Sequence, residues 1–207
     1  MSIRYLPRYT SGERSNHWLI VLLFFAAGCT GLAFFHPSLY FLSALFGGGV
    51  WSRILHPFFG LAMSASFLVL FVKLWRHNVM QDVDREWMKH MGEMLAGDKS
   101  GMPPVGRYNA GQKLAFWAMA GSLAVLVLTG FMFWQPWFAG YFPILLRRFA
   151  VVLHALSATV LVLTTIMHVY AAIWVKGTIR AMTRGDVSAG WAKQNHPLWY
   201  REVSGGK

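Results

Sequence analysis

The stretch that decides the fold is residues 149–175, FAVVLHALSATVLVLTTIMHVYAAIWV. It contains no Asp, Glu, Lys or Arg, and it is longer than the about 20 apolar residues that a membrane-spanning helix needs. Three further stretches also lack these charged residues: 15–52, 54–72 and 114–146. The sequence therefore predicts an all-α membrane protein, a bundle of four transmembrane helices. The predicted spans are about 16–35, 54–75, 114–134 and 149–175.

Composition excludes an ordinary soluble domain, because 56% of the 207 residues are hydrophobic and only 13% are charged, against about 25% charged residues in typical soluble domains. The formal net charge of +11 does not indicate nucleic-acid binding, because the basic residues flank apolar segments and form no face of their own. The single cysteine, Cys29, makes an intrachain disulfide or a cysteine-ligated iron–sulfur or zinc site unexpected. We therefore expect any metal to be held by histidine.

The distribution of cations predicts the orientation in the membrane. Three of the 19 Lys and Arg residues precede the first span, seven lie between Lys73 and Lys113, and six lie in the tail from Lys176 onward. Since cationic segments stay on the cytoplasmic side, we expect both termini, the loop 76–113 and the tail 176–207 in the cytoplasm. The chain is then one multi-pass membrane domain over 1–207.

Four histidines lie within or at the edge of the predicted spans, where ionisable groups are costly and point to function. With this orientation, His17 and His168 lie near the cytoplasmic face, whereas His56 and His154 lie near the external face. The 14-residue spacing from His154 to His168 places the second about 21 Å deeper and on the same helix face. The four histidines thus form one pair at each depth.

Two stacked histidine pairs predict two haems, each with two axial imidazoles, which leaves no open iron position and restricts each centre to electron transfer. The alternative is that these histidines are hydrogen-bonded packing residues without a cofactor. The other four histidines are expected to be solvated or interfacial: His36, His77, His90 and His196.

An electron carrier needs a donor and an acceptor. The chain has no iron–sulfur ligands, flavin motif or nucleotide loop, so we expect the donor to be another subunit. A quinone is the natural acceptor in a bilayer, and the segment 106–113, GRYNAGQK, enters the third span on the predicted cytoplasmic side. The amides of Asn109 and Gln112 are suited to quinone carbonyls. Their spacing is also typical of a helix cap, and both roles stay open.

Five segments taken together identify a family. They are RSNHW (14–18), RILHPFFG (53–60), GRYNAGQK (106–113), WVKGTIRAM (174–182) and WAKQNHPLWYRE (191–202). With the histidines in register, the sequence resembles the gamma subunit of membrane-bound respiratory formate dehydrogenase, a four-helix dihaem cytochrome b.

The resemblance implies two haem b groups and a menaquinone or other quinone reduced beside the cytoplasmic haem. The implied haem ligands are His56 with His154 outside and His17 with His168 inside. The implied quinone-site residues are His168, Asn109, Gly111 and Gln112.

The resemblance also implies partners: an iron–sulfur beta subunit and a molybdenum- or tungsten-pterin alpha subunit, both on the periplasmic side, in heterotrimers that can assemble further. Formate is then oxidised on a partner, and this chain passes electrons across the bacterial inner membrane to quinone in anaerobic respiration. Two alternatives stay open: the cytochrome b of a membrane nickel–iron hydrogenase or other quinone-linked dehydrogenase, and a haem-free membrane anchor.

Overall fold

The computed structural model describes residues 3–98 and 100–205. The two ends of the domain predicted over 1–207 and position 99 of the predicted loop 76–113 lie outside the described residues. The described chain divides into two compact units, one within residues 1–14, 73–118 and 164–207, the other within 15–72 and 119–163.

Four long helices dominate the chain and are each long and apolar enough to cross a membrane. They are α1 (Ser11–Phe35), α2 (Gly49–Leu74), α5 (Ala110–Phe133) and α6 (Ile144–Trp174). The prediction of four apolar spans is confirmed. Each helix begins about one turn before the predicted start, because the prediction stopped at charged residues whereas the helices carry such residues at their ends.

The second unit contains a core to which every long helix contributes one buried residue: Ala27, Met63, Leu123 and Leu161. Around this core the outward side chains are largely apolar and exposed, including Leu22 at 67% and Leu163 at 57%. Contiguous apolar surface of this extent is unsuited to water and fits contact with lipid. Two 3-10 segments in the same unit, Pro37–Phe46 and Ala139–Tyr141, follow α1 and precede α6.

The first unit contains shorter elements that the sequence did not specify. The helices are α3 (Asp82–Lys89), α4 (Met91–Leu95), α7 (Thr178–Thr183), α8 (Ala189–Asn195) and α9 (Pro197–Ser204), with a 3-10 turn at Trp75–Asn78. The strands β1 (Tyr5–Pro7) and β2 (Asp186–Ser188) pair antiparallel, with Leu6 opposite Val187. The expected all-α chain therefore also contains a two-stranded ladder, which joins its N-terminal segment to its tail.

Candidate haem and quinone sites

His56 on α2 and His154 on α6 face each other in the second unit. Their ring centroids are 6.2 Å apart, and the ring planes make an angle of 66°. Both side chains are half-buried, and the Phe133 ring meets His154 edge-on at 5.2 Å. The structure thus brings together the two histidines that the sequence paired at the external depth.

The Nδ1 atom of His56 lies 3.1 Å from the Ala27 carbonyl oxygen and 3.0 Å from Thr30 Oγ1 on α1. A carbonyl oxygen only accepts hydrogen bonds, so Nδ1 carries the ring proton in this arrangement. The lone pair of the neutral ring is then on Nε2, the atom available to a metal.

His154 makes hydrogen bonds of the same kind to α5 as His56 makes to α1. Its Nδ1 lies 2.9 Å from Thr129 Oγ1 on α5, and the ring also bonds with the Leu126 carbonyl. The same tautomer follows, with the Nε2 lone pair available. Metal-ligating histidines characteristically donate their other ring N–H to a protein acceptor, so both rings have the hydrogen-bonding pattern of a ligand.

The spacing of these rings fits an iron porphyrin. A metal–imidazole bond of about 2.0 Å, added to roughly 1.2 Å from the nitrogen to the ring centre, gives about 6.4 Å between two rings on opposite sides of one metal. The observed 6.2 Å agrees with this value. Within residues 3–98 and 100–205 no group of three or more His, Cys, Asp or Glu side chains is arranged to hold a bare metal ion, whereas porphyrin iron needs only two protein ligands.

His17 and His168 belong to different units, so each is described separately. His17 is a half-buried residue of α1, and its ring meets Trp18 edge-on at 5.6 Å. His168 is an exposed residue of α6. That helix runs without interruption from Ile144 to Trp174 and therefore also contains His154. The pairing of His17 with His168 stays a prediction from depth.

The predicted quinone segment forms the N-terminal cap of α5. The backbone N–H of Asn109 donates to Gln112 Oε1 at 3.0 Å, and the N–H of Gln112 donates to Asn109 Oδ1 at 2.9 Å. This is a reciprocal capping box. It uses both side-chain oxygens, and the amide NH₂ groups are not part of it.

Two neighbours hold this cap in place. A Cβ on Gly111 would lie 3.3 Å from Cη2 of Trp87, so the first turn of α5 packs closely on α3. Two residues after Gly111, Lys113 Nζ donates to Asp84 Oδ2 at 2.6 Å, and both side chains are buried. The predicted quinone-site residues Asn109, Gly111 and Gln112 therefore lie on a fixed segment.

His196 corrects one prediction. It was expected to be solvated or interfacial, yet it is 2% exposed. Its Nδ1–H donates to the Gly106 carbonyl at 2.9 Å, and its ring lies 5.0 Å from that of Trp191. Burial, with the nearby Arg8 cation, lowers the pKa of His196 to about 4.

Sequence reasoning also missed a buried arginine in the same unit. Arg8 is 6% exposed, and its guanidinium carbon lies 4.6 Å from the Trp199 ring centroid and 5.1 Å from that of Trp191. Arg8 Nη2 donates to the Arg107 carbonyl at 2.7 Å, and Arg107 Nη2 donates to the Arg8 carbonyl at 2.8 Å. Burial lowers the pKa of Arg8. The only signal in the sequence was the mixture of aromatic and basic residues in the tail.

The chain is similar over most of its length to known proteins. The family described as prokaryotic cytochrome b561 matches residues 8–185. The cytochrome b556(fdo) subunit of formate dehydrogenase from Escherichia coli strain K12 is 44% identical over 198 residues, which cover 96% of this chain and 93% of that protein. The nitrate-inducible cytochrome b556(Fdn) subunit from the same strain is 41% identical over 191 residues, covering 92% and 88%. The Haemophilus influenzae cytochrome b556 subunit is 38% identical over 195 residues, covering 94% and 82%.

Proposed function

Because this chain belongs to the prokaryotic cytochrome b561 family and is a membrane electron carrier of the formate dehydrogenase cytochrome b556 type, we propose that it binds two haem b groups and reduces a quinone near the cytoplasmic face. When bound, the haems supply one-electron transfer between an external donor and a quinone. The chain acts as a single membrane domain in this proposal. Formate oxidation takes place on a partner subunit.

The observation that carries the proposal is the facing pair of imidazoles at His56 and His154, at 6.2 Å between centroids. In both rings the hydrogen bond at Nδ1 leaves Nε2 available to iron. We assign these two residues as the axial ligands of the external haem. Two imidazoles bound to the iron would leave no open position for oxygen or substrate.

His17 and His168 are the axial ligands of the cytoplasmic haem in this proposal. The support is the uninterrupted α6 helix, since 14 residues at about 1.5 Å each separate its two histidines by about 21 Å along the axis. Such a separation suits two centres that connect the two faces of a membrane. His17 lies near the opposite end of α1 from Thr30, in keeping with a second centre at the other depth.

The quinone would bind beside the cap of α5. The NH₂ groups of Asn109 and Gln112 are donors suited to quinone carbonyls, and Gly111 lies between them on the turn that packs against Trp87. The half-buried positions of these residues allow both contact with water and contact with a membrane-soluble ligand. His168 is the fourth residue assigned to this site.

Orientation and partners complete the proposal. Sixteen of the 19 Lys and Arg residues lie on one side of the four spans, which supports cytoplasmic termini. The similarity to formate dehydrogenase subunits supports catalytic partners, which this proposal assigns to the periplasmic side. These partners are an iron–sulfur beta subunit and a molybdenum- or tungsten-pterin alpha subunit, in heterotrimers that assemble further. Quinone then takes its protons from the cytoplasm while electrons arrive from the periplasm, so each turnover separates charge across the membrane.

The test is a reduced-minus-oxidised absorbance spectrum of anaerobic membranes, first with formate and then with dithionite. We expect formate to reduce a b-type haem band and quinone to reoxidise it. A band that only dithionite reduces would support haem binding but contradict formate as the electron source, which is the result expected for the hydrogenase alternative. The same bands in a strain lacking this chain would indicate a haem-free anchor.

A variant separates the two centres. His168→Ala should remove the cytoplasmic haem and abolish quinone reduction while the external haem stays reducible by formate. The matched control is His36→Ala, because His36 is exposed and bonds only to the Ser38 backbone N–H among the described residues. Unchanged haem content in the His168→Ala variant would overturn the ligand assignment.

A further inference from the structure

Two Thr-Gly dipeptides occupy equivalent positions opposite the facing imidazoles. Thr30-Gly31 lies on α1 opposite His56, and Thr129-Gly130 lies on α5 opposite His154. The threonines precede their histidines by 26 and 25 residues. The helix pairs α1–α2 and α5–α6 therefore present the same small motif to the two rings.

The hydroxyl proton of each threonine is committed to its own helix. Thr30 Oγ1 lies 2.7 Å from the Ala26 carbonyl, and Thr129 Oγ1 lies 2.6 Å from the Val125 carbonyl. This back-bonding to residue i−4 is a usual arrangement for threonine within a helix. Because a hydroxyl has one proton but two lone pairs, each oxygen acts as an acceptor towards the imidazole. The histidine Nδ1–H is the donor that the geometry requires.

We propose that Thr30 and Thr129 are positioning residues that hold the two axial imidazoles of the external haem with Nε2 towards the iron, and that they set the midpoint potential of this haem. The inference rests on the proposed function, because it takes His56 and His154 as axial ligands. It extends that function by naming the residues that act on iron through the ligands without touching it.

Burial makes the hydroxyls hard to replace. Thr30 is 0% exposed and Thr129 is 4% exposed, so water has no access to take over the hydrogen bond. An acceptor on Nδ1–H pushes electron density towards Nε2 and stabilises ferric over ferrous iron. Removing one acceptor therefore raises the midpoint potential, by less than the loss of every acceptor would, because the Ala27 carbonyl stays 3.1 Å from His56 Nδ1. The loss of such an outer partner typically weakens metal binding about 10- to 100-fold.

Gly31 and Gly130 differ in how much space they leave beside the two imidazoles. A Cβ on Gly31 would lie 2.9 Å from Cε1 of His56, closer than real Cβ contacts allow, whereas a Cβ on Gly130 would lie 3.6 Å from Cε1 of His154, an ordinary contact. His56 is held at Nδ1 and, when haem is bound, at Nε2, so its ring has little freedom to yield. Gly31→Ala should disturb the external haem and Gly130→Ala should not.

The experiment uses the whole membrane complex, purified with each variant of this chain. Thr30→Val and Thr129→Val keep the shape of the side chain and remove the hydroxyl, and Thr30→Ser restores it. The measurements are haem per chain, a spectroelectrochemical redox titration and the electron paramagnetic resonance spectrum of the ferric haems. We expect the valine variants to raise one midpoint potential, leave the other unchanged and alter one low-spin signal, and the serine variant to return both values to those of the wild type.

The other possible results for these variants either support or overturn the inference. If a valine variant loses the external haem and Thr30→Ser retains it, the hydroxyl is required and the inference stands. If valine and serine variants behave alike, or if both potentials shift equally, the threonines do not position the ligands and the inference fails. His56→Ala separates this failure from failure of the proposed function, because retention of both haems in that variant would overturn the ligand assignment itself.

Discussion

Replacing Lys113 with methionine removes the cation of a buried ion pair at the start of α5. The Asp84 side chain is 1% exposed and that of Lys113 is 6% exposed, with 2.6 Å between Nζ and Oδ2. Without the lysine, Asp84 Oδ2 retains only the backbone N–H of Gln81 at 2.8 Å. Its Oδ1 atom already has no partner among the described residues.

The magnitude follows from this burial. Removing one member of a buried pair leaves an uncompensated charge and costs about 3–5 kcal/mol, which is about two to four powers of ten in the folding equilibrium. The matched control is Asp82→Asn on α3, the helix that also carries Asp84, because the Asp82–Arg85 pair spans 3.6 Å and is almost fully exposed. Exposed pairs of this kind contribute little, so the control should behave like the wild type.

The assay is the denaturant midpoint of the purified complex in detergent, with limited proteolysis between residues 79 and 113 as a local readout. Lys113→Met should lower the midpoint and expose this segment to cleavage. A double variant, Asp84→Asn with Lys113→Met, should recover part of the loss, because it leaves no buried charge. The reasoning is refuted if Lys113→Met lowers the midpoint no more than Asp82→Asn does.

Three further predictions concern the first unit. Burial lowers the pKa of His196 to about 4, against about 6.5 in the unfolded chain. The unfolded state therefore binds more protons between these values, and stability should fall as pH falls from about 6.5 to 4. His196→Gln should reduce the difference between the denaturant midpoints at pH 7 and pH 5, and an unchanged difference would contradict the assignment. Arg8→Lys should cost about 2 kcal/mol through lost stacking on Trp199, and an unaltered melting temperature would contradict it. Asn109→Asp keeps the cap oxygen and removes the amide NH₂, so it should raise the KM for quinone without lowering stability. A wild-type KM in Asn109→Asp, together with lowered stability in Asn109→Ala, would make Asn109 a helix cap only.

The four spans were predictable because a membrane helix is a local property of the sequence, a long run without charge. Their starts were misjudged by about one turn, since Arg53 and Lys113 are helical residues that the charge criterion excluded. The meeting of His56 with His154 was predictable from depth, because consecutive spans run in opposite directions and this fixes the relative depth of each residue.

The ladder between β1 and β2 was not predictable, because three-residue strands separated by most of the chain leave no local pattern. His196 was misjudged for a related reason. The two residues before it, Gln194 and Asn195, are polar, whereas the carbonyl that accepts its proton belongs to Gly106, 90 residues away. Thr30 and Thr129 were missed because threonine in an apolar helix indicates packing, although the repeated Thr-Gly about 25 residues before a histidine was visible in the sequence.

The most direct test of the central claim is the amount of haem b per copy of this chain in the purified complex, measured for the wild type and for His56→Ala. The account predicts two haems in the wild type and one in the variant, with the surviving haem the one assigned to His17 and His168. Fewer than two haems in the wild type, or two in the variant, would contradict it.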